Sequence, residues 1–336
     1  MDTYEIRYLK SEEKGLTRPF WSEVFFEDSE SFLDYYYRVK TKDNQILVKL
    51  SKDRPVSMVH LNPYRIRAMG KDWKANYIVG VATDRNERHR GHMRDLLCRA
   101  LKDMYQEQMP FTFLMPASEA IYLPFDFTYV YDQEQVALDP GLRFVRAGRE
   151  DLERIGQFSE QWLSQRFDLY ASRDVHYMEM LWDEVESENG GLEMAFDGER
   201  LVGCQGFWGL SKRENRGVYG LEPYVRTEET AKPAIMARIV HLPTFLSAIG
   251  ATEEMTLPLT VEDRILPENN GSFLWHLRRE GSRLERVSSV SGPLSMTISQ
   301  LTAWLFGYRA PEGAGETAAQ LEKIRRFESV FLDEIV

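Results

Sequence analysis

An α+β (α/β) fold in three parts is what the sequence predicts. Strand-like and helix-like patterns alternate over the first 139 residues, a Pro-Gly break follows Asp139, and a second run of the same kind opens behind it. From about Ala234 the character changes once more. The chain has 336 residues, more than one ordinary core holds, and roughly 100–200 residues per domain gives two or three domains. The expected divisions are residues 1–139, 140–232 and 233–336.

The elements follow in order. EIRYL reads as a strand, RPFWSEVFFEDSESFLDYYYRVK carries apolar residues at helical spacing, and the stretch from QILVKL to NYIVGVAT reads as three strands joined by polar turns. GHMRDLLCRALKDMYQEQ places Met93, Leu96, Leu97, Ala100, Leu101 and Met104 on one helical face, Pro110 stops it, and FTFLMP restarts a strand. Beyond the break, LRFVRAGREDLERIGQFSEQWL repeats strand then helix, and Asp197-Gly198 between two apolar runs signals a hairpin. AIMARIVHLPTFLSAI predicts a strand passing into a helix, MTLPLTVEDRILPENNGSFLWHLR two strands, ISQLTAWLFGYR a helix, and LEKIRRFESVFLDEIV a charged helix that closes the chain.

Composition narrows the function classes. A hydrophobic share of 43% is that of a folded protein, so disorder is not expected. The amino-terminal residues lack the basic-then-apolar pattern of a secretory signal, and no stretch approaches the roughly 18 apolar residues of a membrane span, which makes the expected location cytoplasmic with no membrane partner. Cys98 and Cys204 are far apart and read as core residues. A net charge of -11 argues against general nucleic-acid binding, whose affinity comes from Lys and Arg on phosphates, and agrees with a cationic substrate. His89 and His92 have no third ligand at metal spacing, so no metal is expected.

One stretch carries chemistry: IVGVATDRNERHRGHMR, residues 78–94. A strand ends in Val81, Ala82 and Thr83, and a turn with Gly91 leads into a helix start rimmed by Arg85, Arg88, Arg90 and Arg94. Free N–H groups at a helix start, the helix dipole and full positive charge together make an anion site suited to a pyrophosphate. Arg88-His89-Arg90-Gly91-His92-Met93 resembles the Arg/Gln-x-x-Gly-x-Gly/Ala fingerprint of the GNAT superfamily of N-acetyltransferases, with Met93 where the family has Gly or Ala. SEAIYLPFDFTYVY is similar to the Tyr-x-x-x-Gly-Phe ending of that fold, with Tyr122 at the Tyr. The combination resembles the enhanced intracellular survival (Eis) branch, in which a degenerate second GNAT-like domain and a sterol-carrier-protein-like domain follow the first.

That resemblance implies a mixed central sheet and acetyl-CoA as co-substrate. The amides and side chains at Arg88, His89, Arg90, Gly91, His92, Met93 and Arg94 would hold its pyrophosphate, and Val81, Ala82 and Thr83 would pair with the pantetheine arm. It further implies direct transfer through a ternary complex to a primary amine of a cationic acceptor, an aminoglycoside-like or polyamine-like small molecule or a lysine, by a homo-oligomer. The family uses a tyrosine as general acid and the chain's terminal carboxylate as general base. Val336 ends this chain, while Phe127 stands at the family's tyrosine and has no proton to give, which leaves Tyr122 or Tyr129. An acyl-CoA-binding sensor without turnover, and a lipid carrier built on the last domain, are the rival readings.

Overall fold

The computed structural model describes residues 4–209, 212–311 and 318–334. Strand β1 (Tyr4–Tyr8) leads into two helices, α1 (Arg18–Val24) and α2 (Glu30–Arg38), where the apolar spacing predicts one. The break at residues 25–29 ends at Ser29, whose side chain accepts a hydrogen bond from the Phe32 N–H and caps α2. Then come β2 (Gln45–Ser51), β3 (Arg54–Ala68), β4 (Lys71–Thr83) and α3 (His92–Gln106). Leu96, Leu97, Ala100, Leu101 and Met104 of α3 are buried at helical spacing. β5 (Phe111–Leu114), the short α4 (Glu119–Tyr122) and β6 (Thr128–Leu138) complete the first run.

The second run consists of β7 (Arg143–Arg146), α5 (Leu152–Ser164), β8 (Leu169–Ala171), α6 (Val175–Ser187), β9 (Gly191–Asp197), β10 (Arg200–Trp208) and β11 (Glu214–Gly220). The β9–β10 hairpin turns at Gly198, whose φ of 58° favours glycine. Next are β12 (Val225–Ile239), α7 (Leu242–Leu246), β13 (Gly250–Ala251), β14 (Met255–Glu262), β15 (Gly271–Arg278), β16 (Gly281–Val287), β17 (Leu294–Thr297), α8 (Ile298–Leu305), α9 (Ala318–Leu321), β18 (Ile324–Arg325) and β19 (Val330–Phe331). The closing charged helix predicted from LEKIRRFESVFLDEIV is therefore a correction: beyond α9 the described tail is extended. β18 pairs with β13 and β19 with β8, and those strand edges override the local helical pattern.

Nine strands form the main sheet, in the order β1-β2-β3-β4-β5-β12-β6, with β8 and β19 joined at the side of β3. β4 and β5 run parallel and the other neighbours along that path antiparallel, so the sheet is mixed. β12 crosses the expected boundary at 232/233. It lies between β5 and β6, with Met236 opposite both Leu114 and Tyr129, and brings later residues into the first sheet. Opposite its β4 edge, β3 is long enough to serve two further partners, β2 through residues 54–61 and β8 through residues 66–68. β8 then takes β19 as a parallel neighbour, while the Asp168 carboxylate accepts from the N–H groups of Glu328 (2.9 Å) and Ser329 (3.2 Å).

The second sheet is antiparallel, β11-β10-β9-β7, and the third, β16-β15-β14-β17, packs Trp275 against Trp304 of α8. One buried ion pair ties the last domain to the first sheet. Arg238 of β12 donates to both carboxylate oxygens of Asp263 at 2.6 Å and to the Phe125 carbonyl at 2.8 Å. Asp263 also accepts from Ile265 N–H (3.0 Å), Leu266 N–H (2.8 Å) and Asn269 Nδ2 (2.8 Å), so its burial is matched by donors.

Candidate active site at a splayed sheet and an inserted tail

β4 and β5 stay paired only at Asn76–Thr112 and Tyr77–Phe113. Beyond Tyr77, the β5-facing edge of residues 78–83 meets no strand among the described residues, so Val81, Ala82 and Thr83 lie on an open strand edge. A bulge sets this splay: between the pairs Val79–His60 and Ala82–Met58, residues 80 and 81 oppose Val59 alone. Gly80 adopts φ 58°, and a Cβ there would stand 2.5 Å from the Trp21 ring.

The open edge runs into the basic turn. Gly91, at φ 81°, precedes α3, and no side chain caps that helix start, so its first amides are available to an anion. Asp84 holds the turn from behind, accepting from Asn86 N–H at 2.8 Å and pairing with Arg54 at 2.6 Å. Arg88 Nε donates to the Thr83 carbonyl at 3.3 Å, and Arg94 stands over the Phe125 ring at 5.9 Å. The Glu87 carboxylate accepts from the Tyr4 hydroxyl (2.9 Å) and from Arg90 (3.0 Å), and lies 3.3 Å from His92 Nε2. His92 is buried against Tyr4, so its side chain braces the turn. His89 takes the left-handed conformation at φ 64°, and Met93 packs at the edge of the core.

The two candidate tyrosines separate. Tyr122 sits in the apolar cluster under α3, edge-on to Phe127 at 5.9 Å, and burial pushes its phenol up to about 12. Tyr129 lines a cavity of about 310 Å³ with Met115 and Pro116, just past the end of β5, and its phenol is raised by burial and by Glu119. This cavity shares Gln133, Gln135 and Glu229 with a larger one of about 710 Å³, lined also by Tyr131, Arg216, Phe331 and Asp333. The two cavities thus run, along β6 and β12, from Tyr129 to the chain's tail.

Val336 and Ile335 lie outside the described residues. The tail up to Glu334 enters a buried charge network. Arg173 donates to the Ala171 carbonyl (2.7 Å), the Tyr219 hydroxyl (2.8 Å), Glu334 (2.8 Å) and Asp333, and its guanidinium stacks 4.2 Å from the Tyr177 ring centre. Arg216 donates to Glu184 at 2.6 Å and to the Asp333 carbonyl at 3.2 Å. Desolvation raises the pKa of Glu334 against the pull of Arg173. Burial lowers Lys40 to about 8, while its Nζ donates to the Tyr64 hydroxyl at 2.9 Å.

Between α2 and β3 a second buried polar group runs along the same sheet face. The Tyr36 hydroxyl lies 3.1 Å from His60 Nδ1 and donates to Asn62 at 3.3 Å, and Asn44 donates to Asn62 at 3.2 Å. Burial depresses His60 to about 3, so the ring is neutral in the fold. Unfolded, a histidine binds its proton near pH 6.5. Stability is therefore present above that value and is lost as pH falls toward about 3. Between pH 7 and 4.5 the loss from this group alone is about 3 kcal/mol. His60→Gln is expected to flatten the fall of melting temperature over that range, and an unchanged slope would assign acid sensitivity to other groups.

Residues 5–130 match the family model of the acetyltransferase (GNAT) domain, and residues 242–335 match that of the sterol carrier protein domain. The chain carries a GNAT acetyltransferase domain. Transferase activity goes with that domain. Among solved structures, this chain resembles a conserved Enterococcus faecalis V583 protein described as a probable N-acyltransferase, with 16% identity, 96% of this chain and 94% of that one covered, and a TM-score of 0.77. A GCN5-related N-acetyltransferase from Anabaena variabilis ATCC 29413 gives 14% identity, 96% and 94% coverage and a TM-score of 0.73. Eis1 from Mycobacterium abscessus gives 11%, 99% and 100%, and 0.69. At these identities the likeness is one of fold. No curated protein gives a significant match.

The acetyltransferase domain borrows from the rest of the chain, and that is what the sequence does not announce. Lys40, Tyr64, Tyr131, Arg173, Arg216 and Glu334 are each ordinary in their local context. Tyr129 and Tyr131 stand two apart on β6, but the register shifts between their partners Met236 and Ile235, so period-two alternation is interrupted between them. No helix among the described residues is long and apolar enough to cross a membrane, and no group of three or more His, Cys, Asp or Glu among them is placed to hold a metal ion.

Proposed function

We propose that the chain is an acetyl-CoA-dependent N-acetyltransferase of Eis-like organisation, acting on a primary amine of a cationic acceptor by direct transfer in a ternary complex. The observation that carries this reading is a pair of adjoining cavities that run from Tyr129, just past β5, to the tail at Phe331 and Asp333, in a sheet whose β4 edge is open beyond Tyr77. The α3 start and its arginines hold the donor's pyrophosphate, and the edge at Val81, Ala82 and Thr83 pairs with the pantetheine arm. The acceptor amine attacks the thioester carbonyl after losing its proton to a carboxylate. Val336 supplies that carboxylate in the family's mechanism, and the buried seating of Asp333 and Glu334 supports it by directing the tail inward. A backbone N–H near Val81 steadies the tetrahedral oxyanion, and a phenol protonates the departing thiolate.

Tyr129 suits the last step better than Tyr122, because it lines the cleft beside Met115 while Tyr122 is packed under α3. Thiol release from acetyl-CoA across a panel of polyamines, aminoglycosides and lysine peptides tests the whole reading. Turnover with at least one amine is expected, and Tyr129→Phe is expected to lower kcat by about 10²-fold or more. The same loss in Tyr122→Phe with Tyr129→Phe unaffected would exchange the two roles. Phe127, fully buried and without a proton, favours a second reading as an acyl-CoA sensor. CoA binding with no thiol release for any amine would establish it.

A further inference from the structure

Arg173, the buried base of the tail's contacts, belongs to neither the acetyltransferase match nor the sterol carrier match, which end at residue 130 and begin at residue 242. Its side chain is fully buried, and so is that of Glu334. Arg216 and Glu184, joined by an ion pair of 2.6 Å, are nearly as deep, at 3% and 5% exposure. The second run thus presents two buried guanidiniums and one buried carboxylate to the space the tail fills, and Lys40 adds a third cation from the acetyltransferase side. Without the tail, these groups would leave positive charge uncompensated in the interior, which is unfavourable by far more than an exposed charge. Asp333 and Glu334 both pair with Arg173 and bring carboxylates to that space.

Backbone contacts act beside this charge match. β19 adds to β8 as a parallel strand, Asp168 receives two tail N–H groups, and Phe331 packs against Trp162, Phe167, Tyr219 and Tyr131 with ring centres 5.0–6.1 Å apart. We propose that the second domain is a binding site for the chain's own acidic carboxyl-terminal peptide, residues 328–334, with Arg173 and Arg216 as positioning residues that aim the terminus at the cleft. The site recognises an extended strand with an aromatic residue followed by two carboxylates. The role of aiming rests on the terminal-carboxylate reading above, whereas the binding itself does not.

Carboxypeptidase digestion followed by intact-mass measurement reads the tail directly. In the wild-type protein the terminal residues are expected to resist release. Arg173→Met is expected to speed their release at least tenfold while acetyl-CoA affinity stays unchanged, and Arg173→Lys, which keeps the charge without the fork, to fall between. Should Arg173→Met not fold, Asp333→Asn with Glu334→Gln removes the same pairing from the tail side. Release as slow as wild type in both variants would overturn the proposal. Fast release with unchanged turnover would leave the binding site standing and remove the terminal carboxylate from the mechanism.

Discussion

Removing Ile335 and Val336 is expected to lower kcat by about 10²–10⁴-fold, the range that loss of a general base commonly produces, with acetyl-CoA affinity unchanged. The proposed donor contacts lie on β4 and at the start of α3, whereas the described tail pairs with β8 and lines a cavity with Tyr131 and Arg216, so the two functions are expected to be separable. Converting the terminal carboxylate to an amide tests the same point without shortening the chain, because it removes the negative charge and keeps the side chains. If both variants turn over like the parent, the base is elsewhere, and Glu334 becomes the group to examine. Its carboxylate is fully buried, its pKa is raised by desolvation, and its Oε2 has no hydrogen-bond partner among the described residues.

The second large effect is expected at the join between the last domain and the main sheet. Asp263→Ala leaves the Arg238 guanidinium, fully buried, without its hydrogen-bonded counter-charge and with only Asp126 at 3.8 Å, and breaking a buried pair in this way typically destabilises by about 3–5 kcal/mol. The loss should appear in the denaturation midpoint. It should also raise KM for acetyl-CoA more than it changes kcat, since Arg238 holds the Phe125 carbonyl and Arg94, a residue of the proposed pyrophosphate site, rests over the Phe125 ring. Replacing both partners by apolar residues, Arg238→Met with Asp263→Leu, is expected to recover part of the stability, because the buried guanidinium is no longer stranded, although Asp126, 3.8 Å from Arg238, loses its cation. A double variant as unstable as Asp263→Ala would show that the donors gathered around Asp263, and not the ion pair, set the cost.

The proposed donor half of the site is legible in the sequence because it is local. A strand, a turn with Gly91 and an amphipathic helix occupy consecutive residues, and their chemistry follows from helix-start amides and nearby arginines. Even there, Gly80 gives little sign that it forms the bulge, since that depends on Trp21 packing from another element. The other half is assembled from β3, β6, β11, the start of α6 and the tail, so no window of sequence holds two of its parts. LEKIRRFESVFLDEIV illustrates the loss: its apolar spacing fits a helix, and only the free edges of β13 and β8, invisible to a local reading, make it extended. Lys40 and Arg173 look like surface charges on paper for the same reason.

The place of β12 has a consequence for how the molecule comes into being. A ribosome delivering this chain releases the whole donor motif by residue 94, yet the strand that belongs between β5 and β6 arrives only with residues 225–239, and the β8 neighbour only with residues 330–331. Such distant pairings are slow to form, and until they do the nascent sheet has a gap where β12 will lie. The main sheet is therefore completed only when residues 330–331 have joined β8, long after the strands that flank β12 are in place.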